Sequence, residues 1–309
     1  MKNLVTGGAG FLGSHLINSL MQDQEQVICI DDLSTGDEKN IKKWTDNPNF
    51  EFILHDVINP IELKVDRIWH LACPASSVQY QKNPIKTSET NFLGTLNMLK
   101  IARKLNIEIL FTSTSEIYGE ANCDEQEESF KGFINPIGLR SCYGEGKRIA
   151  ESLCFDFMRS YGTKIRIARL FNTYGPKMKK DDGRVICNLI QQAISRKSLT
   201  IYGNGQQSRC FCYVDDIIDG MKKLMISNYN YPVNLGNPNE NFKILELVNL
   251  IRSKFTYELD LVFLPLPYDD PPKRKPSIEL AKNLLNWEPK IDLIDGIDNT
   301  IKYIKNDLR

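Results

Sequence analysis

The chain carries no net charge: 39 Lys and Arg stand against 39 Asp and Glu. It therefore lacks the one-signed field that draws a protein to nucleic acid or to a membrane surface, and neither is expected as a partner. No apolar run approaches the ~18 residues of a membrane span. Lys2 leads straight into a strand-like stretch, with no charged, then apolar, then cleavable leader before it, so a cytoplasmic protein is expected. Histidine is scarce, at positions 15, 55 and 70 only, and the three read as structural. The cysteines at 29, 73, 123, 142, 154, 187, 210 and 212 form no Cys-x-x-Cys pair and no Cys/His cluster at zinc spacing. That argues against a metal or a redox centre. Internal repeats and low-complexity tracts are missing too. The basic run Lys177–Lys180 is broken by Asp181 and Asp182 and reads as a solvated loop.

What is present suits a soluble globular protein with a substantial core: 309 residues, 41% hydrophobic and 25% charged. The first half alternates β-branched runs with helical patterns. "NLVT", "QVICID", "FEFILHD", "RIWHLA", "IEILFTST" and "KIRIARLF" read as strands. Phe11–Met21, Thr87–Leu105 and the stretch from Tyr143 to Tyr161 read as helices. Such alternation predicts an α/β fold, a Rossmann-like doubly wound parallel sheet. Beyond Asn172, loops rich in Gly, Pro and Asn ("NTYGPKMKKDDGR", "NLGNPNEN", "LPLPYDDPPKRKP") separate shorter elements. Residues 1–171 are thus expected to form a dinucleotide-binding domain. Residues 172–309 would form mainly a smaller, loop-rich substrate lobe, with some chain returning to the sheet. Ligands of open parallel sheets lie beyond the carboxyl ends of the strands, so the cleft between the lobes is the expected site.

"VTGGAGFLGSHL" holds Gly8-x-Gly10-x-x-Gly13 and, overlapping it, Gly7-x-x-Gly10-x-x-Gly13. A strand precedes it, a helix follows, and Asp31 ends the next strand. Glycines there let backbone N–H groups approach a pyrophosphate at a helix N-terminus. A carboxylate at Asp31 suits ribose hydroxyls and repels a 2′-phosphate, which favours NAD over NADP. Asp56, at the end of "FILHD", stands where an adenine contact is expected.

Tyr143 and Lys147 are four residues apart, one helical turn on one face. A phenol is a poor base at neutral pH, and a nearby ammonium and a positive nicotinamide would both favour its phenolate form. With the glycine fingerprint before them, and the hydroxyls of "LFTSTSEIYG" ending a strand upstream, the pair reads as a proton-transfer site.

The motifs "TGGAGFLGSHL", "HLACPAS", "NFLGTLNML", "TSTSEIYG", "YGEGK", "RLFNTYGP" and "YVDDI" follow one another over nearly the whole chain. In that order they resemble the extended short-chain dehydrogenase/reductases, and more narrowly the UDP-glucuronate decarboxylases (UDP-xylose synthases). The resemblance implies NAD as cofactor and UDP-glucuronate as substrate. It places Thr114, Tyr143 and Lys147 in the catalytic triad, with Ser115 and Glu116 beside it. An acid at position 115 would suit a 4,6-dehydratase, because it must protonate a departing hydroxyl; a serine is far too weak an acid for that.

The implied course is oxidation at C4, loss of CO₂ from the resulting 4-keto acid, and reduction back at C4. For the cofactor the resemblance implies Gly7, Gly10, Phe11, Leu12, Gly13, Asp31, Asp32, Ser34, Thr35, Asp56, Val57, Leu71 and Thr173, together with Tyr143 and Lys147. On the substrate side it implies Asn172 and Arg209 at the diphosphate, with Arg274 a second such arginine. Arg184 is expected at the nucleotide, Tyr202 near uracil, Asn91 in the active site, and Lys86 and Tyr80 at the sugar carboxylate. Dimerisation through the helix bearing Tyr143 and the long helix before it is implied as well. Gly144 and Ser277 depart from the aspartates usual at those positions; neither is a catalytic group. The residues alone leave open a UDP-sugar 4-epimerase, a 4,6-dehydratase, or a silent nucleotide-sugar and NAD binder.

Overall fold

The computed structural model describes residues 1–120, 123–266 and 273–307. The expected loop "LPLPYDDPPKRKP" lies partly outside them. Seven parallel strands form the central sheet, in the order Pro232–Leu235, Ile165–Leu170, Glu108–Thr114, Arg67–His70, Lys2–Thr6, Gln26–Asp31, Phe50–Leu54. The order reverses beside Lys2–Thr6, whose neighbours are Gln26–Asp31 and Arg67–His70. The crevice at such a reversal is where a doubly wound sheet takes its ligand. The inner strands are almost wholly buried, as a sheet covered by helices on both faces requires.

Past Asn172 the chain builds short paired strands: Thr173–Tyr174 with Cys212–Tyr213, Leu199–Tyr202 with Leu261–Leu264, and Ser208–Cys210 with Asn241–Lys243 and Lys273–Arg274. Pro232–Leu235 returns to the main sheet as its edge strand. The Val214–Ile226 helix packs against the first helix, Phe11–Gln22. Among the described residues, no helix is long and apolar enough to cross a membrane.

The stretch read as one helix, Thr87–Leu105, differs. The helical run starts at Pro84 behind an Asn83 cap, widens into a π turn at Thr90–Gly94, and resumes as Thr95–Leu105. Asn91 sits in the wide turn, where its amide donates to the Thr87 carbonyl at 3.0 Å. Helical periodicity cannot register one extra residue in a single turn, so the sequence pattern hid it.

A buried polar network locks the 21-residue helix Ser141–Tyr161 to the sheet. Arg169 grips Glu151 with two parallel bonds, Nε to Oε1 at 3.0 Å and Nη2 to Oε2 at 2.8 Å. Ser113 donates to the same carboxylate, and Arg169 Nη1 also reaches the Tyr118 hydroxyl at 3.0 Å. Every charge is met, which a buried pair demands. The network holds the helix one turn beyond Lys147, and so fixes where Tyr143 and Lys147 point.

His70 is fully buried between two hydroxyls, with Nδ1 2.8 Å from Thr6 Oγ1 and Nε2 3.2 Å from Thr95 Oγ1. Burial, and then the nearby Lys147 ammonium, push its pKa down to about 3. Unfolded, it takes a proton near ~6.5. The unfolded chain therefore binds more protons below that pH, and the contribution of a neutral His70 is present above it and lost as pH falls towards about 3. The expected loss from this group is about 1.4 kcal/mol per pH unit across that window. Urea unfolding at several pH values, wild type against His70→Gln, measures it; equal slopes between pH 5 and 6.5 would assign the acid sensitivity elsewhere.

Candidate active site

Two adjoining cavities, about 380 and 470 Å³, open along the carboxyl ends of the strands. They share Leu12, Leu71, Cys73, Ala75, Ser76, Met178 and Arg184 as a common wall. Each is of the size usual for a small-molecule site.

The glycine-rich turn forms one end of the first cavity. Gly7 has φ +69°, and a Cβ there would stand 2.9 Å from the Ala72 backbone. A Cβ on Gly13 would lie 2.1 Å from the Gly7 carbonyl oxygen, so helix and turn touch where only glycine fits. Asp31 is buried at the end of its strand. Its Oδ2 accepts from Ala9 N at 3.0 Å and its Oδ1 from Leu33 N at 2.8 Å. The carboxylate thus shapes the turn it faces, while each oxygen keeps acceptor capacity. Burial raises its pKa, opposed by those backbone bonds. Asp32, Ser34, Thr35, Asp56 and Val57 line the same cavity with Gly10, Phe11, Leu12, Gly13 and Leu71. Bare turn, helix N-terminus and terminal carboxylate together fit a dinucleotide.

The second cavity holds the groups expected to react. The Glu108–Thr114 strand ends at Thr114, and Ser115–Tyr118 turns away as a single 3₁₀ turn capped by the Thr114 hydroxyl, which accepts from Glu116 N at 3.2 Å. Tyr143 and Lys147 face this turn from the first two turns of their helix. Both are buried, at 6% and 3% exposure. The Thr114 side chain lies beside the Tyr143 hydroxyl and favours its ionised form. Burial pushes the phenol well above its ordinary range, Cys73 and Glu116 add to that, and only Thr114 pulls the other way.

The expected lowering by Lys147 does not appear. That ammonium turns away to donate to the Thr112 carbonyl at 2.8 Å and lies 4.6 Å from the Phe111 ring centroid. Burial lowers its own pKa. Desolvation, not the neighbouring cation, dominates the phenol.

Glu116 is clamped between two arginines. Arg140 Nη2 approaches Oε1 at 3.1 Å and Arg274 Nη1 at 3.4 Å. Burial acts to raise the carboxyl, but Arg274 and then Arg140 outweigh it and hold it below its ordinary value. Arg140 Nε also donates to the Tyr80 hydroxyl at 3.0 Å. The Tyr80 ring stacks on Tyr143, centroids 5.0 Å apart and planes 4° from parallel.

The sequence-predicted residues distribute unevenly. Thr114, Ser115, Glu116, Tyr143, Lys147, Asn172, Arg184, Tyr202, Arg209 and Arg274 converge on the second cavity, with Thr173 beside them rather than in the first. Arg184 reaches both cavities, held by Asp182 through Nε at 2.5 Å and Nη2 at 2.8 Å. Four residues sit elsewhere than expected. Lys86 lies on the dinucleotide side, ion-paired with Asp56, and does not line the sugar cavity. Tyr80 is wholly buried behind Tyr143, where it supports the ring and meets no ligand surface. Arg274 has its guanidinium at Glu116, the reactive end, rather than only with the diphosphate set.

Asn91 lines neither cavity. It is packed under Gly146, where a Cβ would stand 2.7 Å from its Nδ2. Arg140 was missed, although its place three residues before Tyr143, on the same helical face, was a usable signal. Cys73, in the wall between the cavities, was missed because a lone cysteine carries no spacing to read.

Compared with known proteins, residues 3–236 match the NAD dependent epimerase/dehydratase family. The chain is similar to UDP-glucuronic acid decarboxylase 3 of Arabidopsis thaliana, at 49% identity over 298 residues, covering 96% of this chain and 87% of that one. Its fold is similar to UDP-glucose 4-epimerase of Thermotoga maritima solved with UDP-glucose: TM-score 0.92, 28% identity, all of both chains covered. It is also similar to UDP-glucuronic acid 4-epimerase of Bacillus cereus, solved with UDP-glucuronic acid and NAD: TM-score 0.89, 30% identity, 99% of both chains.

Proposed function

The chain belongs to the NAD dependent epimerase/dehydratase family, and from that we propose that it converts UDP-glucuronate to UDP-xylose and CO₂ through a UDP-4-keto intermediate, with no net change in its NAD. The observation that carries this reading is the Glu116 carboxylate clamped by Arg140 and Arg274 beside Tyr143 and Thr114, in a chain 49% identical to a UDP-glucuronic acid decarboxylase.

Bound NAD supplies a hydride acceptor and donor and a positive ring beside the phenol. Gly7, Gly10, Phe11, Leu12 and Gly13 would hold its pyrophosphate, Asp31 its ribose, and Asp32, Ser34, Thr35, Asp56, Val57 and Leu71 its adenosine end. Lys147 would reach the second ribose. Tyr143 takes the C4 hydroxyl proton, with Thr114 as hydrogen-bond partner. The sugar's carboxylate then stands β to a carbonyl, and its electrons flow into an enolate as CO₂ leaves. Thr114 and Tyr143 hydrogen-bond the enolate oxygen, which is where charge develops.

The guanidiniums of Arg140 and Arg274 at the sugar end offer donors that suit an anionic C6 group. Ser115 and Glu116 position the ring and manage proton delivery at C5. Asn172 and Arg209 take the diphosphate, Arg184 the nucleotides at the junction of the cavities, and Tyr202 the uracil. Residues 1–171 thereby supply most of the cofactor site and the groups proposed to react, and 172–309 mainly the nucleotide-sugar contacts. The protein is proposed to act in the cytoplasm as a homodimer, pairing across the half-exposed apolar face of Phe92, Leu93 and Ile149.

Proton NMR of the purified chain with UDP-glucuronate and NAD tests the reading. UDP-xylose should appear without accumulation of reduced cofactor. Unchanged UDP-glucuronate, or its C4 epimer as the product, would sink it.

A further inference from the structure

The loop read from sequence as solvated is not solvated at its first residue. Lys177 is half-buried in the wall of the first cavity, at a left-handed φ of +66°. Its Nζ donates to the Asn40 carbonyl at 2.9 Å, and Asn40 Nδ2 donates in turn to the carbonyl of Ala9, inside the glycine-rich turn, at 2.9 Å. The preceding residue is anchored as well, with the Pro176 carbonyl 3.0 Å from His15 Nε2 on the helix that follows the turn. Two hydrogen bonds therefore separate this ammonium from the glycine loop.

The other half-buried cations around this cavity are already matched. Lys86 pairs with Asp56, and Arg184 with Asp182. The more exposed Lys39 pairs with Asp37 and Asp307. Lys179 and Lys180 are exposed. Lys177 has no carboxylate partner among the described residues, only a neutral carbonyl, and Lys43 is the charge nearest enough to act on it. Burial, and then Lys43, lower its pKa to about 8. The Asn40 side-chain oxygen beside it is buried and without a partner among the described residues. A half-buried cation left without an anion is costly unless a ligand supplies one.

We infer that Lys177 is a diphosphate-binding residue of the cofactor site, supplying the positive charge that the glycine turn's backbone N–H groups do not. The inference rests on the first cavity taking NAD. The diphosphate could also come from the UDP-sugar, but Lys177 lines the first cavity and not the second, which assigns it to the dinucleotide. It also gives the loop a use: a residue from beyond Asn172 closes over the glycine turn of the first domain.

Titration calorimetry of the full chain with ADP-ribose, UDP and adenosine tests this on wild type, Lys177→Met, Lys177→Gln and Lys177→Arg. Removing one charge-assisted hydrogen bond should weaken ADP-ribose binding about 10- to 100-fold in Lys177→Met. Lys177→Gln, which can still donate to Asn40, should lose nearly as much, and Lys177→Arg should recover most of it. Adenosine, without phosphate, and UDP should change less than about threefold. Unchanged ADP-ribose binding in Lys177→Met would overturn the inference. So would equal losses for adenosine and ADP-ribose, or restoration by glutamine, since either would make Lys177 a tether only. A loss confined to UDP would assign the cation to the sugar. If wild type binds UDP but not ADP-ribose, the NAD reading of the cavity fails with it.

Discussion

Tyr143→Phe is expected to lower kcat for UDP-glucuronate by about 10²–10⁴-fold, the range for loss of a general acid–base group, with NAD and UDP-glucuronate affinities changed little. The asymmetry follows from the geometry. The ring is held by its stack on Tyr80, 5.0 Å away and nearly parallel, and phenylalanine keeps that contact. What disappears is one hydroxyl, beside Thr114 in the lining of the second cavity. Because burial holds the phenol protonated in the protein alone, the group becomes a base only beside a positive nicotinamide. The pH profile of kcat should accordingly fall on its acidic side, as Tyr143 takes up a proton in the ternary complex, and binding of the sugar nucleotide alone should show no such limb. Stopped-flow absorbance of reduced cofactor, alongside calorimetry of both ligands, separates the two. A variant that binds weakly but turns over normally when saturated would remove Tyr143 from the chemistry.

Glu116→Gln should produce the next largest effect, in two measurements of different kind. The first is stability. The carboxylate separates two guanidiniums at 3.1 and 3.4 Å, and its neutral isostere takes away the charge that holds them together. Removing one partner of a buried pair costs about 3–5 kcal/mol; the Arg140 side chain is 21% exposed, which places this site at the lower end. Urea titration of wild type and variant reads it.

The second is the fate of C5. If Glu116 controls proton delivery there, wild-type product made in D₂O should carry deuterium on one face of C5. Residual product from the variant should be a mixture of the two C5 configurations, each with one deuterium, with turnover down by about 10²-fold or more. Single-faced labelling by the variant at near-normal turnover would reduce Glu116 to a structural spacer between the arginines.

Much of the fold could be read in the chain. Alternation of apolar strands with amphipathic helices predicts a parallel doubly wound sheet because each strand, covered on both faces, must be apolar throughout. The glycine fingerprint, Asp31, and the Tyr143–Lys147 pair could be read too, since each depends on local spacing along one strand, turn or helix. The π turn at Thr90–Gly94 could not, because it shifts a helical register by one residue without changing the residue types.

The second cavity shows where sequence stops. Lys86 looked like a sugar contact until Asp56, 30 residues away, claimed it. Tyr80 looked like another, but it is stacked behind Tyr143. Glu116 was singled out by its neighbours in the chain, but its ionisation is settled by Arg274, which lies 158 residues away. The sequence by itself determined the sheet, the glycine turn and the pairing of Tyr143 with Lys147 on one helical face, because those are written in short-range spacing and hydrophobic period. Only the tertiary structure decided which charges meet which. Burial and partner distance set that, and both arise when loops from distant parts of the chain close on the strand ends.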